Sequence, residues 1–191
     1  MDEFQGGCSF PFSVHVENFT NTGKQYPLGN DTRKMSHLNW RPLPDYHRRR
    51  LEYHIQLLQA LRPEFLHSVG NLHEYAHGIE VIEEDGNLIA ARSVSPEGIR
   101  TLLPQEHGST LIQHQRTAIQ LPFERGVRFI VLSGIGVGHA LLMVQAQLEK
   151  QESAGALVWE SDPYAWTAFF ALFDAQRAIE NTNRVFLFYS D

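Results

Sequence analysis

The stretch Val127-Arg128-Phe129-Ile130-Val131-Leu132-Ser133-Gly134-Ile135-Gly136-Val137-Gly138-His139 decides the fold of the C-terminal third. An apolar run ends in alternating glycines, and a helical pattern follows from Ala140 to Lys150, with Leu141, Val144 and Leu148 on one face. Gly134 lets the chain leave a strand in a sharp turn. Gly136 has no Cβ, so a phosphate or ribose can approach the backbone, and Gly138 allows close packing of the helix. The helix N-terminus adds free N–H groups and a partial positive charge. Ala156-Leu157-Val158-Trp159 reads as the next strand and Glu160 closes it. An acidic residue roughly 20 positions beyond the last glycine can accept the hydroxyl hydrogens of a ribose. Pro163 suits the first turn of a second helix, very rich in aromatics (Tyr164, Trp166, Phe169, Phe170, Phe173). Val185 to Tyr189 reads as a third strand. Residues 122–191 are thus predicted to form a Rossmann-like βαβαβ unit with three parallel strands, and the continuous apolar run Val127 to Leu132 is what a strand covered on both faces requires.

Working outward, residues 45–121 predict a helix plus a β-hairpin region. Asp45 can cap a helix whose apolar positions Leu51, Ile55, Leu58, Leu61 and Phe65 recur at helical spacing, and Pro63 kinks it or begins a new turn. Asp85-Gly86, between alternating apolar segments, is a hairpin signal. A polar stretch with Pro96, Gly98, Pro104 and Gly108 follows, and then a helical segment from about Thr110 to Gln120. Residues 1–44 read as an irregular arm rich in Gly, Asn, Thr, Ser and Pro, although Phe12-Ser13-Val14-His15-Val16 alternates as a short strand does. The expected fold class is therefore an α+β N-terminal region with a β-hairpin, followed by an α/β Rossmann-like three-stranded parallel unit.

Composition narrows the function. A net charge of −6 over 191 residues gives no electrostatic reason to bind nucleic acid or an anionic membrane. The Arg48-Arg49-Arg50 run reads as a solvated helix start. One cysteine, Cys8, can form neither an internal disulfide nor a cysteine-based zinc site, which fits a reducing, cytoplasmic setting. The N-terminus lacks the basic and apolar regions of a signal peptide, and no apolar stretch is long enough to span a bilayer.

Two motifs carry candidate chemistry. Gly134, Gly136, Gly138 and Glu160 form a candidate cofactor-binding constellation. Its G-x-G-x-G spacing departs from the G-x-G-x-x-G of most NAD enzymes and is closer to the first motif of S-adenosylmethionine-dependent methyltransferases. The competing explanation is that the glycines only allow tight strand-to-helix packing, with Glu160 solvated. His139 can touch a ligand at this turn or simply pack there. His73-Glu74-Tyr75-Ala76-His77 matches H-E-x-x-H, whose two histidines bind zinc when both lie within one helix. Here Gly70-Asn71 and Gly78 leave little room for that helix, and Glu97, Glu106 and His107 compete as third ligand, so zinc is not expected. The aromatic stripe of the last helix suits burial against a parallel sheet, with a missing domain as the other candidate to cover part of it.

Gly134-Ile135-Gly136-Val137-Gly138-His139, followed by Trp159-Glu160-Ser161-Asp162-Pro163, resembles the N-terminal part of the motility-associated factor (Maf) glycosyltransferases. That family is grouped with "domain of unknown function 115", or 6-hydroxymethylpterin pyrophosphokinase-like, proteins. The resemblance is best over about Val127 to Asp191. It implies an accessory, nucleotide-binding region of a bacterial enzyme that transfers a nonulosonic acid from a CMP-linked donor to flagellin. The family's catalytic centre is expected in a domain with a G-x-G-P-S type motif, which this sequence lacks, so no catalytic residue carries over. A downstream domain or protein partner is then implied, and a three-stranded sheet with an open edge fits a chain that continues. The candidate ligands are a CMP-sugar or S-adenosylmethionine. The alternatives are a methyltransferase-like enzyme and a protein-interaction module with a purely structural glycine turn.

Overall fold

The computed structural model describes residues 14–17, 39–103, 119–136 and 138–190. They form two sheets joined by one continuous core. The first sheet is antiparallel, in the order β2 (Arg41–Pro42), β3 (Ile79–Glu84), β4 (Asn87–Ser95), β5 (Gly98–Leu103). The second is parallel, in the order β1 (Val14–Glu17), β6 (Phe129–Ser133), β7 (Gly155–Trp159), β8 (Val185–Phe188). The expected α+β region with its hairpin and the Rossmann-like parallel unit are both present. The parallel sheet has a fourth strand, however, drawn from the arm read as irregular: β1 pairs with β6, Val14 opposite Ile130. A short alternating segment needs a partner edge to become a strand, and β6 offers one.

Three helices lie between β2 and β3: α1 (Asp45–Leu61), α2 (Pro63–Val69) and α3 (Leu72–Ala76). Pro63 starts α2 because the first helical position needs no N–H. Pro44, not Asp45, occupies the N-cap of α1, and Asp45 lies in the first turn, where its charge favours the positive end of the helix. The hairpin turns at Asp85 (φ 50°) and Gly86 (φ 77°), the left-handed pair that a tight two-residue connection needs. The polar stretch after it contains β5. Pro96 lies in the turn before that strand, where a missing N–H costs no ladder bond. The predicted 110–120 helix lies mostly outside the described residues. Its visible part, α4, covers 119–124 and runs through Pro122.

α5 (His139–Leu148) joins β6 to β7, and α6 (Pro163–Leu172) and α7 (Gln176–Glu180) join β7 to β8. Parallel strands in consecutive order, joined by the right-handed crossovers that are the rule, carry such helices on one face of the sheet. That face presents Ile130, Leu132, Ala156, Val158, Val185 and Leu187, all buried. The other face is not covered as expected: Phe129, Trp159, Phe186 and Phe188 are 37–54% exposed.

α6 is the centre of the molecule. Trp166, Phe169 and Phe170 are fully buried, and Phe65 meets the Trp166 ring edge-on at 4.8 Å. The aromatic stripe is thus core, as a helix apolar on every side requires. Its C-terminal carbonyls, which have no partner within the helix, are met by α1. His54 Nδ1–H donates to the Phe170 carbonyl (2.7 Å), His47 Nδ1 lies 3.1 Å from that of Ala171, and Arg50 donates to that of Leu172 (2.6 Å). The Arg48-Arg49-Arg50 run is accordingly not just a solvated start. Arg49 is exposed, while Arg48 donates to the Leu43 carbonyl and Arg50 closes α6.

Candidate functional site

The glycine turn sits at the carboxyl end of β6, beside the centre of the parallel sheet. Gly134, Gly136 and Gly138 all have positive φ (76°, 55° and 101°), so each position needs glycine for its backbone alone. Surroundings add a second constraint. A Cβ on Gly138 would lie 2.0 Å from the Phe169 ring, so this glycine admits an aromatic side chain of α6 against the start of α5. A Cβ on Gly136 would lie 3.5 Å from the Leu102 carbonyl, which brings the end of β5 close to the turn. Gly134 N–H donates to the Trp159 carbonyl at 2.8 Å, extending the β6–β7 ladder into the turn.

Glu160 does reach the turn, but it is not solvated. It is 4% exposed; one carboxylate oxygen accepts from Ile135 N–H (2.8 Å) and the other from Asp162 N–H (2.9 Å). The carboxylate is a strut between the glycine turn and the entry to α6. Asp162 completes the joint. Its Oδ1 accepts from Tyr164 N–H (2.8 Å), capping α6, and its Oδ2 accepts from Arg100 of β5 (2.6 Å). Trp166 Nε1–H donates to the Glu160 carbonyl at 3.1 Å, so the same corner is fastened from inside α6.

His139 begins α5 with its ring edge-on to Phe173 at 4.8 Å. Burial lowers its pKa from the ordinary 6.5, so the ring is neutral near pH 7. A neutral imidazole can either accept or donate, and it stands next to the backbone of the turn. Arg100 and Asp162 were missed as site residues. Arg100 lies in the strand hidden by flanking Pro96 and Gly98, whereas the Asp162-Pro163 pair is itself a helix-start signal that points to the cap.

In the H-E-x-x-H segment the two histidines meet other side chains. α3 spans five residues, and His77 is already its C-cap. His73 Nε2 is 3.3 Å from a Glu52 carboxylate oxygen, and His77 Nδ1 is 3.5 Å from Arg48. Gly78 ends the helix where a Cβ would strike the Val94 carbonyl (2.6 Å) and the Tyr164 ring (2.7 Å). Among the described residues, no group of three His, Cys, Asp or Glu side chains can hold a metal ion. Cys8, Glu106, His107 and His114 lie outside them. No helix among the described residues is long and apolar enough to cross a membrane.

No family model matches the chain, and neither a curated protein nor a solved structure matches it.

Proposed function

We propose that this chain serves as the N-terminal accessory region of a Maf-type glycosyltransferase, with the glycine turn as a receptor for a nucleotide-like ligand and the transfer chemistry carried elsewhere. One observation bears on the methyltransferase alternative: the Glu160 carboxylate is buried, with both oxygens on backbone N–H groups. A methyltransferase-type site uses such a carboxylate to hold a ribose diol, which requires it to face the ligand. Here the groups left at the turn are backbone, the half-exposed Arg100 and neutral His139. They suit contact with a phosphate or sugar better than acid–base or nucleophilic work.

A second reading is favoured by the same joint: the turn is purely structural, in a protein-interaction module. The closeness of Phe169 to Gly138 supports it. Titration calorimetry of the whole chain against CMP, S-adenosylmethionine and S-adenosylhomocysteine separates the three. Weak CMP binding reduced by Arg100→Ala is the expected result. Silence with all three favours the structural turn. Tight S-adenosylmethionine binding, lost in Glu160→Ala, would replace the accessory reading with the methyltransferase.

A further inference from the structure

Two buried histidines lie seven residues apart on α1 and meet the same end of α6, yet their surroundings demand different protons. His54 is 1% exposed. Its Nδ1–H donates to the Phe170 carbonyl (2.7 Å), and its Nε2 accepts from Ala175 N–H (3.2 Å). One donor and one acceptor are what a neutral imidazole supplies. His47, 4% exposed, faces two acceptors instead: the Ala171 carbonyl at Nδ1 (3.1 Å) and the Glu83 carboxylate at Nε2 (2.9 Å). A neutral ring has one proton for these two contacts, and an imidazolium has two.

We propose that His47 is a proton-operated clasp: singly protonated it holds the hairpin through Glu83, and doubly protonated it also holds the Ala171 carbonyl at the end of α6.

The order follows from bond strength. A hydrogen bond to a carboxylate is about twice as strong as one to a neutral carbonyl. A single proton therefore stays on Nε2, and the Ala171 contact is the one that opens. Glu83 is fixed for this purpose. Strand alternation places Glu83 on the face of β3 where Ile79 and Val81 are buried, and its side chain, 4% exposed, meets α1. The carboxylate also accepts from Arg41 (2.7 Å) and from the Tyr46 hydroxyl. Burial works to raise its pKa, but the bonds from Tyr46 and His47 and the charges of His47 and Arg41 outweigh that and hold it below 4.5. Glu83 thus stays ionised while His47 titrates. For His47, burial and the charge of Arg50 lower the pKa from 6.5, against the pull of Glu83 and the Ala171 carbonyl. Around His54, burial and Arg50 lower it, against the Phe170 carbonyl and the exposed Asp174, whose Oδ1 is 3.9 Å away. As pH falls, protonation tightens the grip on Ala171. At His54 it would turn an acceptor into a donor facing Ala175 N–H.

The test is nitrogen and carbonyl NMR on the full, isotope-labelled chain, titrated from well above to well below pH 6.5. The expected result is a His47 Nε2 that carries a proton throughout. Nδ1 should gain one on the acid side, and the Ala171 carbonyl shift should move with it at the same midpoint. Glu83→Gln, which keeps the shape, should move that midpoint further down. His47→Gln should abolish the Ala171 change and leave the Phe170 carbonyl shift as it is in the wild type. An Ala171 carbonyl that stays constant while His47 titrates would overturn the proposal, as would a midpoint indifferent to Glu83→Gln. If either variant fails to fold, the wild-type coincidence of the Nδ1 and Ala171 midpoints decides alone.

Discussion

The chain passes through left-handed backbone at Asp85-Gly86 and again at Gly134, Gly136 and Gly138, and the two turns differ in everything but that. At Gly86 a Cβ would meet nothing within 4 Å. At Gly138 it would run into Phe169, and a buried carboxylate holds the neighbouring N–H of Ile135. The hairpin turn is a solution to chain direction alone. The second turn is a joint where β6, α5, α6 and the end of β5 converge. Glycine content marks both, but only packing shows which one the rest of the fold is built upon.

Substitutions at the two turns can break this contrast. Gly138→Ala should cost most, about 4 kcal/mol, because it combines a strained φ with overpacking against Phe169. Chemical denaturation measures it, and a loss near that of an open turn would erase the distinction. Glu160→Ala comes next, at about 3 kcal/mol, because it strands two buried N–H groups. Glu160→Gln should recover part of the loss, since one acceptor oxygen remains. Gly86→Ala should cost about 1 kcal/mol, the left-handed penalty alone. Asp85→Asn should change stability by a few tenths of a kcal/mol at most, because Asn-Gly suits the same turn.

A pH scan sharpens the picture from the far end of α6. His54 has its pKa lowered from 6.5 by burial. Below pH 6.5 the unfolded chain takes up a proton that the folded chain resists, so stability is complete above that value and erodes beneath it. Glu83, held below 4.5, adds stability that persists above that pH and is lost as pH falls through its lower folded value. Thermal unfolding followed against pH should therefore decline in two stages, the first shallower in His54→Gln but still present, because His47 and His139 also have lowered pKa values.

Much of this architecture was readable from residues. The apolar run before Gly134, Pro163 as a first-turn residue, and Asp85-Gly86 each carry a local cause, and local causes survive into the fold. β5 was hidden because Pro96 and Gly98 bound it closely, and strand pairing is a long-range effect that flanking residues do not announce. β1 showed only as a brief alternation. At the site, the meeting of Glu160 with the glycine turn was legible from spacing, but its role was not. Whether a carboxylate faces a ribose or a backbone N–H depends on side-chain direction, which spacing leaves open. The cap on α6 was wholly illegible, since His47, Arg50 and His54 look like the polar positions of any helix.

That cap has a consequence in time. The bonds from α1 to the end of α6 cross 116 to 124 residues of chain. During synthesis α1 emerges first, with its donors in water, and α6 follows only after the antiparallel sheet and all but the last strand of the parallel one. Contacts so distant in sequence form late and slowly. Severed from α1, the parallel unit would carry a helix with three bare carbonyls. It should then remain unfolded or recruit a substitute. The chain therefore reaches its final shape only when α6 arrives to meet groups laid down more than a hundred residues earlier.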